Sequence, residues 1–173
     1  MERWVLLRKG ADFEAIGKKY QISPRLACLI RNRDVIGEEA IERYLNGTIS
    51  DLYDGMLMKD AYKAIDILKE KIAEEKKIRV IGDYDIDGVN ATYILLEGLE
   101  RLGAYVDSDI PDRIGDGYGL NRHLIDRAYD AGIDTIITCD NGIAAANEIA
   151  YGKELGMTII VTDHHEIPFD EID

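Results

Sequence analysis

Three observations predict a doubly wound, mostly parallel α/β domain preceded by a small helical segment. From residue 78 onward, short apolar runs alternate with stretches of helical spacing, the pattern of βαβ units feeding a parallel sheet. Before that point the chain shows only helical spacing. Three of the four apolar runs also end in clusters of aspartate or histidine, and the carboxyl ends of the strands are where an open parallel sheet gathers its ligand.

The elements follow in order. Asp12-Phe-Glu-Ala-Ile-Gly-Lys-Lys-Tyr20 is the first helix candidate. Ser23 then caps a second helix with Pro24 at its first position, where a missing N–H costs nothing. A third runs from Glu38 to Leu45 and is stopped by Asn46-Gly47. The spacing predicts a longer helix over 59–76, with Ala61, Ala64, Ile65, Leu68, Ile72 and Ala73 as its apolar stripe and Lys76 and Lys77 at the negative end of its dipole. Strands are expected over 78–82, 104–110, 134–139 and 157–162, alternating with helices over 90–102, 121–131 and 143–155. Residues 1–56 therefore form a helical segment expected to dock on the core, and 57–173 form the α/β domain.

Composition narrows the functional classes. A chain that is 46% apolar and 32% charged is globular rather than disordered. Its apolar runs are too short to span a bilayer, and the N-terminus lacks a signal-peptide core, so a cytoplasmic protein with no membrane partner is expected. Cys28 and Cys139 form no C-x-x-C pair, which argues against a thiolate zinc site or a disulfide framework. The net charge of −13 argues against a protein that coats duplex nucleic acid by itself. It is compatible with a nucleic-acid enzyme whose cations are bound metals, because clustered carboxylates hold divalent ions beside phosphates.

The strand ends carry the chemistry. The first exits into Asp83-Tyr-Asp85-Ile-Asp87-Gly88, the third into Asp140-Asn141-Gly142 and the fourth into Asp163-His164-His165. Carboxylate oxygens with imidazole nitrogens suit manganese, magnesium or similar ions. A calcium loop also begins D-x-D-x-D-G, but its twelfth position requires a bidentate glutamate and here holds Ile94, and this loop follows a strand. A solvated acidic turn is the remaining alternative for the first cluster, although three like charges beside apolar strands repel unless a cation offsets them.

Asp163-His164-His165 also reads as a capping aspartate followed by two surface histidines. The chain has only three histidines, and two adjacent at a strand end shift the weight towards ligation. His123, at a helix start, reads as surface or substrate-side. Asp140 gains its value from position, since a carboxylate there can bridge two ions about 3.5–4 Å apart. Gly115-Asp-Gly-Tyr-Gly119 reads mainly as a flexible turn, with backbone amides that can approach a phosphate as the alternative.

These motifs together resemble the DHH phosphoesterase superfamily, and within it the branch of single-stranded-DNA-specific exonucleases. The resemblance rests on Gly82-Asp-Tyr-Asp-Ile-Asp-Gly88, Pro111-Asp-Arg113 running into Asp116-Gly-Tyr-Gly-Leu120, Cys139-Asp-Asn-Gly-Ile143 and Val161-Thr-Asp-His-His165. In the front segment it rests on Ile22-Ser-Pro, Asn32-Arg33, Leu52-Tyr-Asp and Met58-Lys-Asp60. It implies that Asp83, Asp85, Asp87, Asp140 and His164 hold two Mn²⁺ or Mg²⁺ ions. His165 then sits at the metals or on the scissile phosphate, and Asp163 is a ligand or an orienting group behind the ligands. Asp140, His164, His165 and Asp163 are the catalytic candidates, and Arg113, Tyr118 and Asn141 the candidate substrate contacts.

The implied activity is phosphodiester hydrolysis that degrades single-stranded DNA from the 5′ end in repair and recombination. Single-strand-binding proteins or helicases are the implied partners. The resemblance further implies that a fourth motif, another aspartate, lies downstream with further domains, so this chain is expected to be an N-terminal part with incomplete activity. Two other readings are a related phosphoesterase acting on short oligonucleotides, cyclic dinucleotides or pyrophosphate, and a binding scaffold that has lost catalysis.

Overall fold

A computed structural model describes residues 9–112, 115 and 119–167. The chain divides into two compact units, Met1–Leu57 and Met58–Asp173.

The first unit holds three helices: α1 (Phe13–Tyr20), α2 (Pro24–Asn32) and α3 (Glu38–Asn46). Asp12 caps α1 by accepting from the Ala15 amide at 2.9 Å, and Ser23 Oγ caps α2 by accepting from Leu26 at 3.2 Å. Ala27, Ile30 and Ile41 are buried. Two short 3-10 turns, Ile49–Asp51 and Gly55–Leu57, close the unit.

The second unit opens with α4 (Ala61–Ala73) and continues as β1 (Lys77–Ile81), α5 (Ile86–Arg101), β2 (Tyr105–Asp109), α6 (Arg122–Asp130), β3 (Thr135–Cys139), α7 (Ala146–Glu154) and β4 (Thr158–Thr162). The four strands form one parallel sheet in the order β2-β1-β3-β4. Successive strand residues point to opposite faces, and both faces are apolar. Ile81 and Ile136 pack with Leu124, Ile125 and Ala128 of α6, and Ile149 of α7 lies against them. Ile78, Val80, Ile137 and Cys139 pack on the other side with Leu99 of α5, joined by Ile67 and Leu68 of α4. The expected doubly wound parallel sheet is therefore present, with helices on both faces. No helix among the described residues is long and apolar enough to cross a membrane.

Two helix starts differ from those the periodicity predicts. α5 begins at Ile86, four residues before the expected position, because Asp85 serves as its N-cap and accepts from the amides of Asp87 and Gly88 at 3.0 and 2.9 Å. The D-x-D-x-D-G run is thus a loop only as far as Asp85, and Asp87 and Gly88 belong to the helix. α7 begins at Ala146 rather than near 143, since the chain first makes a turn in which the Ala145 amide donates to the Gly142 carbonyl at 3.0 Å.

The order β2-β1-β3-β4 places the switch point of the winding between β1 and β3. Chain connections leave in opposite directions there, which opens a crevice at the strand carboxyl ends.

Candidate metal centre

Asp83 lies just beyond that crevice, two residues after the end of β1. Two glycines bring it in. A Cβ on Gly88 would lie 2.5 and 2.6 Å from the backbone O and N of Asp83, and one on Gly82 would lie 1.9 Å from Thr92 Oγ1. The first turn of α5 therefore packs directly on the Asp83 backbone, which only glycine at 88 permits. Asp83 is fully buried, and neither of its carboxylate oxygens has a hydrogen-bond partner.

Asp140 leaves β3 with a left-handed backbone, φ 61°, and is 7% exposed. The turn is pinned by Thr138 Oγ1, which donates to the Asn141 carbonyl at 2.8 Å. His164 Nε2 approaches Asp140 Oδ1 to 2.8 Å as an ion-pair contact, but both oxygens of Asp140 lack a hydrogen bond of acceptable geometry. Burial pushes the Asp140 carboxyl above the usual carboxylate range, and the Asp85 charge adds to the rise while His164 opposes it. Asp85 is shifted the other way. The Gly88 amide, with help from the Asp87 amide and from Asp140, holds it below that range against its own desolvation.

Beyond β4, Asp163 turns its carboxylate inward. Oδ2 accepts from the Ile143 amide at 3.0 Å, while Oδ1 accepts from the His165 amide at 3.0 Å and lies 2.6 Å from His165 Nδ1. Burial works against the charge on Asp163, but these donors outweigh it and keep the carboxyl low. The same contact with Asp163 raises His165, aided by the charges of Asp163, Asp140 and Asp85. The rings of His164 and His165 lie 4.6 Å apart, tilted by 35°.

Among the described residues, Asp140, His164 and His165 form a group whose donor atoms lie within 4.8 Å of one another. Asp85 joins through its interaction with Asp140 and the charge of His165. Asp83, at the exit of the neighbouring strand, has two buried oxygens without partners and lies outside that group of three. Desolvated, unpartnered carboxylates are costly unless a cation is bound, and oxygen donors with imidazole and no thiolate match Mn²⁺ or Mg²⁺. The donor set fits a divalent centre.

The remaining expected site residues divide as follows. Asp87 is exposed in the first turn of α5 and lies outside that group of three. Asp163 engages both oxygens, with the Ile143 amide and with His165, and lies outside the group of three. Asn141, expected as a substrate contact, is 2% exposed and donates from Nδ2 to the carbonyls of Ile81 and Cys139 at 3.2 and 3.1 Å. It ties two strands instead of facing solvent. His123 is exposed on α6. Arg113 and Tyr118 lie outside the described residues. The sequence reading missed the Ile143 amide, because a backbone donor leaves no mark in composition. It also missed the Asn141 tie, for which the only signal was a polar side chain at the end of an apolar strand.

Residues 77–173 match the family model described as "DHH family, N-terminal domain". The single-stranded-DNA-specific exonuclease RecJ of Bacillus subtilis is 39% identical over 165 residues, covering 95% of this chain and 21% of the relative. RecJ of Escherichia coli is 31% identical over 99% of this chain and 29% of its own length. The chain thus spans less than a third of the curated relatives it matches. Among solved structures, RecJ from Thermus thermophilus in complex with Mn²⁺ aligns with a TM-score of 0.61 at 27% identity, covering 96% of this chain and 23% of that one. An exonuclease RecJ bound to manganese aligns with a TM-score of 0.60 at 39% identity over 64% of this chain and 29% of that one. The family match covers more than half of the chain and runs from the first residue of β1 through the Asp-His-His triplet, so the chain belongs to the DHH family.

Proposed function

We propose that this chain supplies the metal-binding part of a cytoplasmic exonuclease that degrades single-stranded DNA from the 5′ end in repair and recombination. The observation that carries this reading is the buried Asp83 carboxylate, without partners, at the same sheet edge as the Asp140, His164 and His165 cluster. The RecJ relatives, named as single-stranded-DNA-specific exonucleases, support the substrate class.

In this reading Asp83, Asp85, Asp140, His164 and His165 would hold two divalent ions, Mn²⁺ or Mg²⁺. When bound, such ions offset charge on phosphoryl oxygens and lower the pKa of water. The chain's own residues do the rest. Asp163 holds the ring of His165 through Nδ1, as carboxylates behind ligating histidines do. Asp85 remains ionised through its hydrogen bonds to the α5 amides and also anchors the helix start. Burial of Asp83 and Asp140 keeps bulk water from competing for their oxygens.

The test is digestion of 5′- and 3′-labelled single- and double-stranded DNA by the complete gene product with Mn²⁺. Loss of label from the 5′ end of single strands is expected. Asp140→Ala is expected to lower the rate by at least about 100-fold, the upper end of what losing a supporting partner costs. Equal digestion of duplex, loss from the 3′ end, or turnover restricted to cyclic dinucleotides or pyrophosphate would refute the assignment. Full nuclease activity in Asp140→Ala would remove the centre from the mechanism.

A further inference from the structure

Asn141 lies at the switch point of the sheet, and its bonding is unusual. A single amide nitrogen donates to two carbonyls, Ile81 O at the last residue of β1 and Cys139 O at the last residue of β3. Those strands are paired only as far as Ile81 and Thr138, and beyond that register the sheet ladder no longer holds them together. The carboxamide therefore takes over where the ladder stops. Asp83 follows Ile81 by two residues, and Asp140 follows Cys139 directly. The tie thus spans the two strand exits that deliver the two buried carboxylates, Asp83 and Asp140.

Its orientation is fixed by chemistry. Rotating the carboxamide would set Oδ1 against two carbonyl oxygens, so the nitrogen must face them. Oδ1 is left buried without a hydrogen-bond partner. An apolar side chain of the same size would remove this orphaned acceptor but would also strip the Ile81 and Cys139 carbonyls of the donor that joins them. Thr138 Oγ1 holds the backbone of the same residue, so Asn141 is anchored through its main chain and bridges through its side chain.

We infer that Asn141 is a positioning residue for the metal centre: by joining the carbonyls of Ile81 and Cys139 it sets the separation of the Asp83 and Asp140 carboxylates. The inference rests on the metal-centre reading above. Asn141→Asp places a carboxylate oxygen against the two carbonyls and pushes the strand exits apart. Asn141→Ser is too short to reach both and perturbs packing less.

The test is titration of Mn²⁺ into this chain, followed by calorimetry and by the Mn²⁺ EPR signal, with Tm recorded for every variant. Wild type should bind Mn²⁺ with the signal of protein-bound ion. Both variants should bind about tenfold to 100-fold more weakly, with an altered bound-ion spectrum. Thr135→Val, which alters a fully buried polar residue at the opposite end of β3, is the control for stability and should leave the affinity unchanged. If Asn141→Asp fails to fold, Asn141→Ser decides. Wild-type affinity and spectrum in a folded Asn141 variant would overturn the inference, as would an equal loss in Thr135→Val. Absence of Mn²⁺ binding by the wild type would instead overturn the metal-centre reading on which it depends.

Discussion

Asp140 pays for its place with a left-handed backbone that a side chain rarely adopts, and such strain persists where the surroundings impose it. Asp134, at the other end of the same strand, shows an ordinary solution to a similar problem. Burial penalises its charge, yet the Lys71 ammonium at 2.8 Å and the Thr135 hydroxyl at 2.7 Å more than offset this and hold its carboxyl low. A carboxyl held below its unfolded value stabilises the fold fully above the ordinary carboxylate pKa of about 3.9 and loses that contribution as pH falls through the lowered value. Urea denaturation between pH 2 and 7 should therefore show an acid limb that flattens in Asp134→Asn, and an unchanged limb in that variant would remove Asp134 from the acid response. At this scale the grouping of Asp140, His164 and His165 was legible, because their residue types cluster at the ends of apolar runs. The difference between a buried Asp83 and an exposed Asp87 was not legible, because it depends on where α5 begins. Nor was the role of Asn141, whose partners lie on two different strands.

The elements were more readable than their ends. All four strands fall within one residue of the positions their apolar runs predict, and Ser23-Pro24 opens α2 as its capping chemistry requires. α5 was misplaced at its start because a glycine two residues ahead of the expected start argues against helix, whereas here Gly88 is what lets the first turn rest on the Asp83 backbone. The same helix contains a glycine with the opposite meaning. A Cβ on Gly98 would meet nothing within 4 Å, and its neighbours are helical. Gly98→Ala should raise stability by about 0.5–1 kcal/mol through helix propensity. Gly88→Ala should lower it by about 1–3 kcal/mol because backbone must shift to admit the methyl group. Urea midpoints of the two variants check both signs, and a neutral Gly88→Ala would contradict the close approach.

At the scale of the whole molecule, the fold class was legible because alternating short strands and helices admit few other arrangements. The strand order was not, since several orders satisfy the same alternation. That order makes the candidate centre a property of assembly: the proposed donors, from Asp83 to His165, follow three strands that are adjacent only in the finished sheet. Bound Mn²⁺ at 100 times its dissociation constant should add about 2.7 kcal/mol, which for a domain of this size is a rise in Tm of roughly 10 °C, reversed by EDTA. The same arrangement separates the two directions of the reaction in time. Until β1, β3 and β4 have come together no pair of these clusters lies close enough to share an ion, so an ion is expected to bind only once those strands have assembled. Stopped-flow measurements should then show refolding at the same rate with or without Mn²⁺ and unfolding slowed by nearly the whole stabilisation, the behaviour of a lock set after closure rather than a nucleus for folding. Acceleration of refolding by Mn²⁺ would place assembly of the centre before that barrier.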